Sequence, residues 1–285
     1  MKRALKRGDV INVNSVLEHS SVTNTGFGSS LNAFGEVEID ASYIKSNGES
    51  GALSGLQSFS PTQELFRIYK EINELYKKQP NLTRPLSLHC SGLQKYMDID
   101  VDDHLGSAKA KEIWMGYSGR QDQYPVEGAI SDTIGSIVIN SNDTTLATTS
   151  GGNFFKLPGR IGCAGIVGAA IYYEKIGDLE ISCMCSGNGE QIIKYSLAQL
   201  IVTNVHLMDE GKYGPQLEKL LIGKDKDLYC GFVIVLKKSD GRIHLLYGHT
   251  TETFYFGTRV NDSTSVVLSC AEKEGKFTFG EYKLQ

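Results

Sequence analysis

The stretch that decides the fold reads Asp132-Thr133-Ile134-Gly135-Ser136-Ile137-Val138-Ile139. Its β-branched residues predict a strand, and the polar cluster Asn140-Ser141-Asn142-Asp143 that follows predicts a turn. A second strand is expected from Leu146 to Ser150, so the two strands would form a hairpin. A turn centred between residues 141 and 142 places Thr133 opposite Ser150. Two hydroxyl groups then meet at the open end of the hairpin, although a slip of one residue would separate them.

Downstream of the hairpin the sequence alternates between loops and regular elements. Lys156-Leu157-Pro158-Gly159-Arg160 predicts a basic loop, and residues 161–173 predict a buried core helix. A strand at 181–185, the glycine turn Ser186-Gly187-Asn188-Gly189 and a helix that begins at Glu190 follow. A glycine turn before a helix directs backbone N–H groups outward, which suits an anion or an oxyanion. An ordinary tight turn would have the same composition.

Other elements follow from spacing and composition. Residues 61–78 have apolar side chains at helical spacing, with Ser60 as N-cap, Pro61 at the first helical position and Gln63 as the capping-box partner. Residues 97–132 are polar and typical of a mobile linker, interrupted by a short helical piece at 107–115. The remaining elements are a first helix within 1–18 and C-terminal strands at 232–237 and 243–247.

Composition limits the class of protein. The chain has 285 residues, 40% of them hydrophobic, and a formal net charge of −4, which argues against disorder and against nucleic-acid binding through overall charge. No segment is long and apolar enough for a membrane helix, and no apolar stretch follows the basic start Lys2–Arg7. We interpret that start as a solvated helix face, with a localisation signal as the alternative, and expect an intracellular protein of the cytoplasm or nucleus.

The six cysteines fit the same compartment. We expect buried, reduced thiols, with zinc or a disulfide at Cys183 and Cys185 as the alternative because these two lie on one strand face.

These pieces, in this order, resemble the N-terminal-nucleophile asparaginase family. The resemblance spans about residues 2 to 258, is weakest in the linker, and rests on five blocks: 24–55, 132–135, 150–152, 158–162 and 186–190. Within that family, the segment Gly248-His249-Thr250-Thr251-Glu252 looks like the threonine aspartase branch.

The resemblance implies an α+β fold, a four-layer αββα sandwich formed by residues 1–285 as a single domain. It also implies a precursor that cuts itself between Asp132 and Thr133. The products would be an N-terminal chain, 1–132, with the linker at its end, and a C-terminal chain, 133–285. The family begins with a buried strand and a glycine-rich turn, which have no counterpart ahead of the first helix, so we expect the sheet to lack that strand.

The resemblance also implies roles for single residues. Thr133 would be the nucleophile, with its new α-amino group as general base, since such an amine has a pKa of about 8. Ser150 would orient it, and Ser186 and Gly187 would bind the oxyanion. Arg160 would grip the substrate carboxylate.

Two further residues complete the implied substrate site. Lys156 and Gly189 would lie beside the substrate, although Lys156 could equally be a plain surface lysine. No cofactor or catalytic metal is implied, and a structural ion in the Asn24–Asn32 loop is conceivable by analogy only.

One departure from the family decides the predicted activity. Members that hydrolyse free asparagine or isoaspartyl dipeptides carry an aspartate after the Gly-Arg-x-Gly run, where this chain has Cys163. We therefore predict a threonine endopeptidase that cleaves proteins after aspartate. The alternatives are an isoaspartyl peptidase/L-asparaginase and a catalytically silent truncated relative. The expected partners are protein substrates with an aspartate before the cut and a second copy of the cleaved protomer, not nucleic acid or a membrane.

Overall fold

The computed structural model describes residues 1–99, 101–102, 105–117, 133–140, 143–273 and 275–284. Asp132, and with it the predicted self-cleavage junction, lies outside the described residues, as does most of the second half of the predicted linker. No helix in the described ranges is long and apolar enough to cross a membrane.

The first half of the chain and the 133–150 hairpin form a five-stranded sheet. Its strands are β1 (Ile39–Lys45), β2 (Ser50–Leu56), β3 (Ser87–His89), β4 (Ile134–Ile139) and β5 (Thr144–Ser150), in the order β3-β2-β1-β5-β4. The helices of this half are α1 (Lys2–Leu5), α2 (Val10–Glu18), α3 (Pro61–Lys77), α4 (Cys90–Leu93) and α5 (Ala108–Tyr117).

The second half forms another five-stranded sheet and a separate hairpin. The strands are β6 (Ile171–Ile176), β7 (Leu179–Gly187), β8 (Cys230–Lys238), β9 (Ile243–His249), β10 (Thr253–Val260), β11 (Ser263–Cys270) and β12 (Thr278–Lys283). The sheet order is β12-β9-β8-β7-β6, and β10 pairs with β11. Its helices are α6 (Gly189–Tyr195), α7 (Leu197–Val205) and α8 (Tyr213–Ile222).

Apolar clusters join helices to sheets. Leu65, Ile68 and Ile72 of α3 are buried in a cluster with residues of β1 and β2, because their spacing puts all three on one helix face. A second cluster joins α7 and α8 to β7 and β8, and a third, smaller one contains Ile44, Leu146 and Ile171 from the two sheets. The predicted α+β class is thus confirmed, whereas the four-layer arrangement and the lacking strand stay predictions.

The predicted hairpin is confirmed in its register. Ile134 pairs with Thr149 and Ile139 pairs with Thr144 in antiparallel β4 and β5, so Thr133 lies beside Ser150. The strands predicted at 181–185, 232–237 and 243–247 also lie within β7, β8 and β9.

The predicted core helix at 161–173 is wrong. This segment holds only a short 3-10 turn, Cys163–Gly165, and then enters β6, whose Ile171 pairs with Met184. Glycine has low helix propensity, and Gly168 adopts a φ of +93°, which a helix does not accept. Pairing along the edge of the second sheet satisfies the backbone of this apolar segment instead.

Three helix predictions needed smaller corrections. The helix that begins near Glu190 breaks at Ser196, whose φ is 45°, and the N-terminal helix is divided into α1 and α2. At the start of α3 the Ser60 side chain makes no capping hydrogen bond. The buried carboxylate of Glu18 accepts the N–H of Thr62 there instead, so a distant residue takes over the predicted local cap.

Candidate active site

Thr133 immediately precedes β4, whose first paired residue, Ile134, pairs with Thr149. Its Oγ1 donates a hydrogen bond of 3.1 Å to Ser150 Oγ, which also accepts the backbone N–H of Gly152 at 3.1 Å. The hairpin therefore has the predicted register, which places the two hydroxyl groups within hydrogen-bond distance. Ser150 is buried and fixed by the backbone, so it can orient the half-buried Thr133 hydroxyl.

Arg160 lies in a cradle built from three glycines. A Cβ atom would come within 2.7 Å of Arg160 Nη1 if placed on Gly152, 2.6 Å if placed on Gly162, and 2.8 Å of Nη2 if placed on Gly189. Real Cβ atoms do not approach so closely, so a larger residue at any of the three positions would displace the end of the Arg160 side chain. Through Gly152 the cradle adjoins Ser150 and hence Thr133.

One side of the guanidinium is occupied. Glu190 Oε1 accepts hydrogen bonds from Arg160 Nε at 3.0 Å and from Nη2 at 2.6 Å. Nη1 has no hydrogen-bond acceptor among the residues that the structure describes, which leaves two N–H groups for a ligand. The Arg160 side chain is only 16% exposed, so this donor faces a restricted volume.

Lys156 is buried, so the alternative of a plain surface lysine is wrong. Its Nζ donates to the carbonyl oxygen of Glu38 at 2.5 Å and lies near Gly152. Burial lowers the pKa of Lys156, opposed by the neighbouring Asp40 carboxylate. Burial raises the pKa of Asp40, although Lys156 and the Gly162 N–H favour its charged form. Lys156 thus adds positive charge behind the cradle.

Ser186 and Gly187 are the last two residues of β7. Thr133 and Ser186 line one cavity of about 680 Å³ that runs along β4. Gly187 has a φ of +138°, and a Cβ there would meet the Tyr229 carbonyl oxygen at 2.3 Å, so only glycine fits. The structure therefore brings Ser186 and Thr133 to one cavity, and Gly189 to Arg160.

The loop around Asn24 supports the backbone that follows Ser150. Asn24 accepts the N–H of Gly151 through its carbonyl oxygen at 2.6 Å and donates from Nδ2 to the Gly152 carbonyl at 2.7 Å. The sequence suggested no role in the substrate site for Asn24, Asp40 or Glu190. All three lie in blocks that carry the family resemblance, and that resemblance is the signal that could have found them.

Glu18 is buried behind the site and was also missed. Its Oε1 accepts from Thr62 N at 3.1 Å and from Thr149 Oγ1 at 3.2 Å, beside Ser150. Burial raises the pKa of Glu18 to about 7, against hydrogen bonds that lower it. Near neutral pH this carboxyl group is therefore partly protonated inside the protein.

Glu18→Gln should flatten part of the pH dependence of stability. Because the folded pKa of Glu18, about 7, exceeds its ordinary value of 4.5, the stability that this group contributes is complete below pH 4.5 and is lost as pH rises towards 7. The loss amounts to roughly 3 kcal/mol. Urea unfolding at pH 5 and pH 8 measures it. The free energy of unfolding should differ less between pH 5 and pH 8 in Glu18→Gln than in Glu218→Gln, which changes an exposed residue. An equal difference in both variants contradicts the assignment.

The cysteines are all free, and five of the six are buried; Cys270 is exposed. Cys183 and Cys185 do lie on one strand face, with their sulfur atoms 3.8 Å apart. Within the described ranges, no group of three or more His, Cys, Asp or Glu side chains could hold a metal ion. Cys163, near Gly189 and Arg160, is 5% exposed, and burial raises its thiol pKa to about 12.

The mixed sheets and helices are consistent with the class of N-terminal-nucleophile hydrolases. The sequence profile of the asparaginase family matches residues 93–268, more than half of the chain, and the chain belongs to that family. The chain therefore belongs to the N-terminal-nucleophile hydrolase superfamily. The finer assignment to the threonine aspartase branch remains a prediction.

Individual relatives carry two names. A protein of Xenopus laevis named isoaspartyl peptidase/L-asparaginase is 28% identical over 206 residues, covering 69% of this chain and 61% of the relative. A Danio rerio protein of the same name is 28% identical over 232 residues, covering 78% and 69%. A plant-type L-asparaginase of Pyrococcus furiosus is 24% identical over 223 residues, covering 72% and 69%. These names agree with the first alternative from the sequence better than with the predicted endopeptidase.

Proposed function

We propose that the chain hydrolyses the side-chain amide of asparagine or the β-aspartyl bond of an isoaspartyl peptide, with Thr133 as nucleophile. The observation that carries the proposal is the 3.1 Å contact between Thr133 Oγ1 and Ser150 Oγ, next to an arginine whose Nη1 has no acceptor in the described structure. The names of the relatives support the same choice of substrate.

Processing comes first in this mechanism. Thr133 Oγ1 attacks the carbonyl carbon of Asp132 and displaces its own nitrogen, which gives an ester that water hydrolyses. The products are the Asp132 carboxylate and a free Thr133 α-amino group. That amine then accepts the Thr133 hydroxyl proton at each turnover, because its pKa near 8 suits neutral pH.

Turnover then needs an oriented substrate and a stabilised oxyanion. Arg160 Nη1 binds the substrate carboxylate, and Thr133 Oγ1 attacks the side-chain carbonyl. Ser186 and Gly187, at the end of β7, donate to the oxygen that gains negative charge. The Thr133 amine passes its proton to the departing ammonia or amine, and water hydrolyses the acyl-enzyme ester to release aspartate.

Cys163 favours a second candidate, the endopeptidase that cleaves after aspartate. The carboxylate that binds a free α-ammonium group in relatives with that activity is replaced here by a buried, neutral thiol. A peptide-bonded aspartate has no α-ammonium group, so its binding does not need a carboxylate at position 163.

We further infer the four-layer arrangement, with room for one more strand. β4 ends the first sheet, and its outer edge faces the 680 Å³ cavity, which is also lined by Val233, Leu245 and Phe256. An unpaired edge above an apolar face is suited to another strand. If processing depends on that strand, this chain alone would be the catalytically silent relative.

Mass spectrometry and assays with three substrates test these proposals together. The substrates are L-asparagine, a β-aspartyl dipeptide and a polypeptide that contains aspartate. We expect purified protein to yield a fragment that begins at Thr133 and to release aspartate from L-asparagine or a β-aspartyl dipeptide. Cleavage of a polypeptide after aspartate, without those activities, would favour the endopeptidase instead. An intact chain of about 31 kDa that acts on none of the three rules out the enzyme proposal for this chain.

A further inference from the structure

Glu190 and Arg160 form an ion pair that exposes opposite charges to the site. Glu190 Oε1 takes both hydrogen bonds from Nε and Nη2 of Arg160, so Glu190 Oε2 and Arg160 Nη1 remain for other partners. Oε2 has no hydrogen-bond donor in the described part of the chain. The Glu190 side chain is 64% exposed, compared with 16% for Arg160, so Glu190 forms the outer rim of the cradle.

The backbone fixes this position. Asn188 caps α6 by accepting the N–H groups of Glu190 and Gln191, which sets the direction of the first helical turn. Gly189, immediately before Glu190, adjoins both Arg160 Nη2 and Cys163 Sγ. The Glu190 carboxylate therefore binds Arg160, and Glu190 directly follows a glycine that adjoins Cys163.

The other charged groups near Arg160 are either buried or hydrogen-bonded. Asp40 is 1% exposed, and its Oδ2 accepts the Gly162 N–H at 2.6 Å. Its Oδ1 has no hydrogen-bond partner among the described residues, but this atom is shielded from solvent. Glu38 accepts the Gly159 N–H and a hydrogen bond from Asn32, and Lys156 donates to the Glu38 backbone. The Cys163 thiol is neutral because burial raises its pKa to about 12.

A free α-amino acid carries its carboxylate and its ammonium group on one carbon atom. When that carboxylate binds Arg160 Nη1, the ammonium group lies next to it and needs a negative partner. Arg160 and Glu190 present the complementary pair, so the four charges alternate in sign around a ring. Such an arrangement stabilises a zwitterion more than either ion alone, because each charge is flanked by two of opposite sign.

We propose that Glu190 binds the substrate's α-ammonium group and so makes the site selective for free asparagine or for isoaspartyl peptides with a free α-amino group. The inference rests on the proposed function and assigns to Glu190 the charge that Cys163 does not supply. It identifies a specificity-determining residue that acts by direct contact with the substrate.

Glu190→Gln tests this with a matched pair of substrates. The pair is a β-aspartyl dipeptide with a free α-amino group and the same dipeptide acetylated at that group. For the free dipeptide, KM should rise about tenfold or more, since a hydrogen bond to a charged group is lost, whereas kcat changes little. For the acetylated dipeptide, KM should stay the same. Glu190→Asp should retain most of the selectivity, and Glu218→Gln serves as the exposed control.

Two other results overturn the proposal. If Glu190→Gln raises KM equally for both dipeptides, Glu190 only holds Arg160 in place. If it lowers KM equally for both, Glu190 only competes with the substrate carboxylate for Arg160.

A binding measurement separates this inference from the proposed function. Calorimetry on the Thr133→Ala protein compares L-aspartate with N-acetyl-L-aspartate without any turnover. If L-aspartate binds more tightly and Glu190→Gln removes the difference, the inference holds even for an inactive chain. Equal binding of the two ligands contradicts it, whatever the wild-type activity.

Discussion

Thr133→Ala is expected to abolish both self-cleavage and turnover. The hydroxyl oxygen that attacks is removed, and the remaining groups can only bind the substrate. We expect kcat/KM to fall by at least about a thousandfold, as when a covalent nucleophile is deleted. Mass spectrometry should show one intact chain, and an assay for released ammonia or aspartate should show no product.

Two matched variants show whether the loss of activity is due to the missing Thr133 hydroxyl group. Thr133→Ser keeps a hydroxyl group at the same position and should retain processing. Ser150→Ala keeps the Thr133 hydroxyl and removes the oxygen that lies 3.1 Å from it and also accepts the Gly152 N–H. Ser150→Ala should therefore lower the rate without eliminating it. The melting temperatures of the two Thr133 variants should differ little from that of the wild type, because Thr133 is only half-buried and precedes a strand. Ser150→Ala should melt at a lower temperature, because Ser150 is buried and accepts the Gly152 N–H. A Thr133→Ala protein that still processes itself would overturn the assignment of the nucleophile.

Arg160→Ala should have the second largest effect. The three glycines around its guanidinium leave a cradle that no other described cation fills, so a substrate carboxylate loses its partner. We expect kcat/KM to fall about a hundredfold or more, mostly through KM, since charge-assisted hydrogen bonds contribute about 1.5–3 kcal/mol each. Steady-state kinetics on the processed enzyme measure the change.

Controls separate binding from folding. Arg160→Lys keeps the charge but not the planar fork, so it should recover only part of the loss. Arg242→Ala removes an exposed arginine of the β8–β9 turn and should leave kinetics unchanged. If Arg160→Ala lowers kcat and leaves KM unchanged, Arg160 is not the carboxylate ligand.

The hairpin of β4 and β5 could be predicted because its determinants are local. A polar turn between two β-rich runs fixes both the strands and their register, and the pairing of Ile134 with Thr149 agrees with the turn position read from the sequence. Helix α3 was predictable for the same reason, since an apolar stripe at helical spacing lies within one element.

One error has a local cause: Gly168, with a φ of +93°, does not fit the buried helix that the composition of 161–173 suggested, and residues 171–173 begin β6, which pairs with the next strand, β7. The other errors occurred where partners distant in the chain decide the outcome. Lys156 could not be assigned to the interior from its own loop, because the Glu38 carbonyl that receives its Nζ lies on another segment. The cap of α3 likewise comes from Glu18 and not from its own Ser60.

The sequence by itself determined the hairpin, its register and the proximity of Thr133 to Ser150. Neighbouring residues fix the position of the turn, and that position fixes which residues of the two strands pair. Only the tertiary structure decided how Arg160 is held. Gly162 is only two residues from Arg160, but Gly152 and Gly189 come from other segments, and their contact with the same guanidinium depends on how the sheets and α6 pack. The pairing with Glu190, and the charge that the site offers a substrate, follow from that packing and from no local pattern.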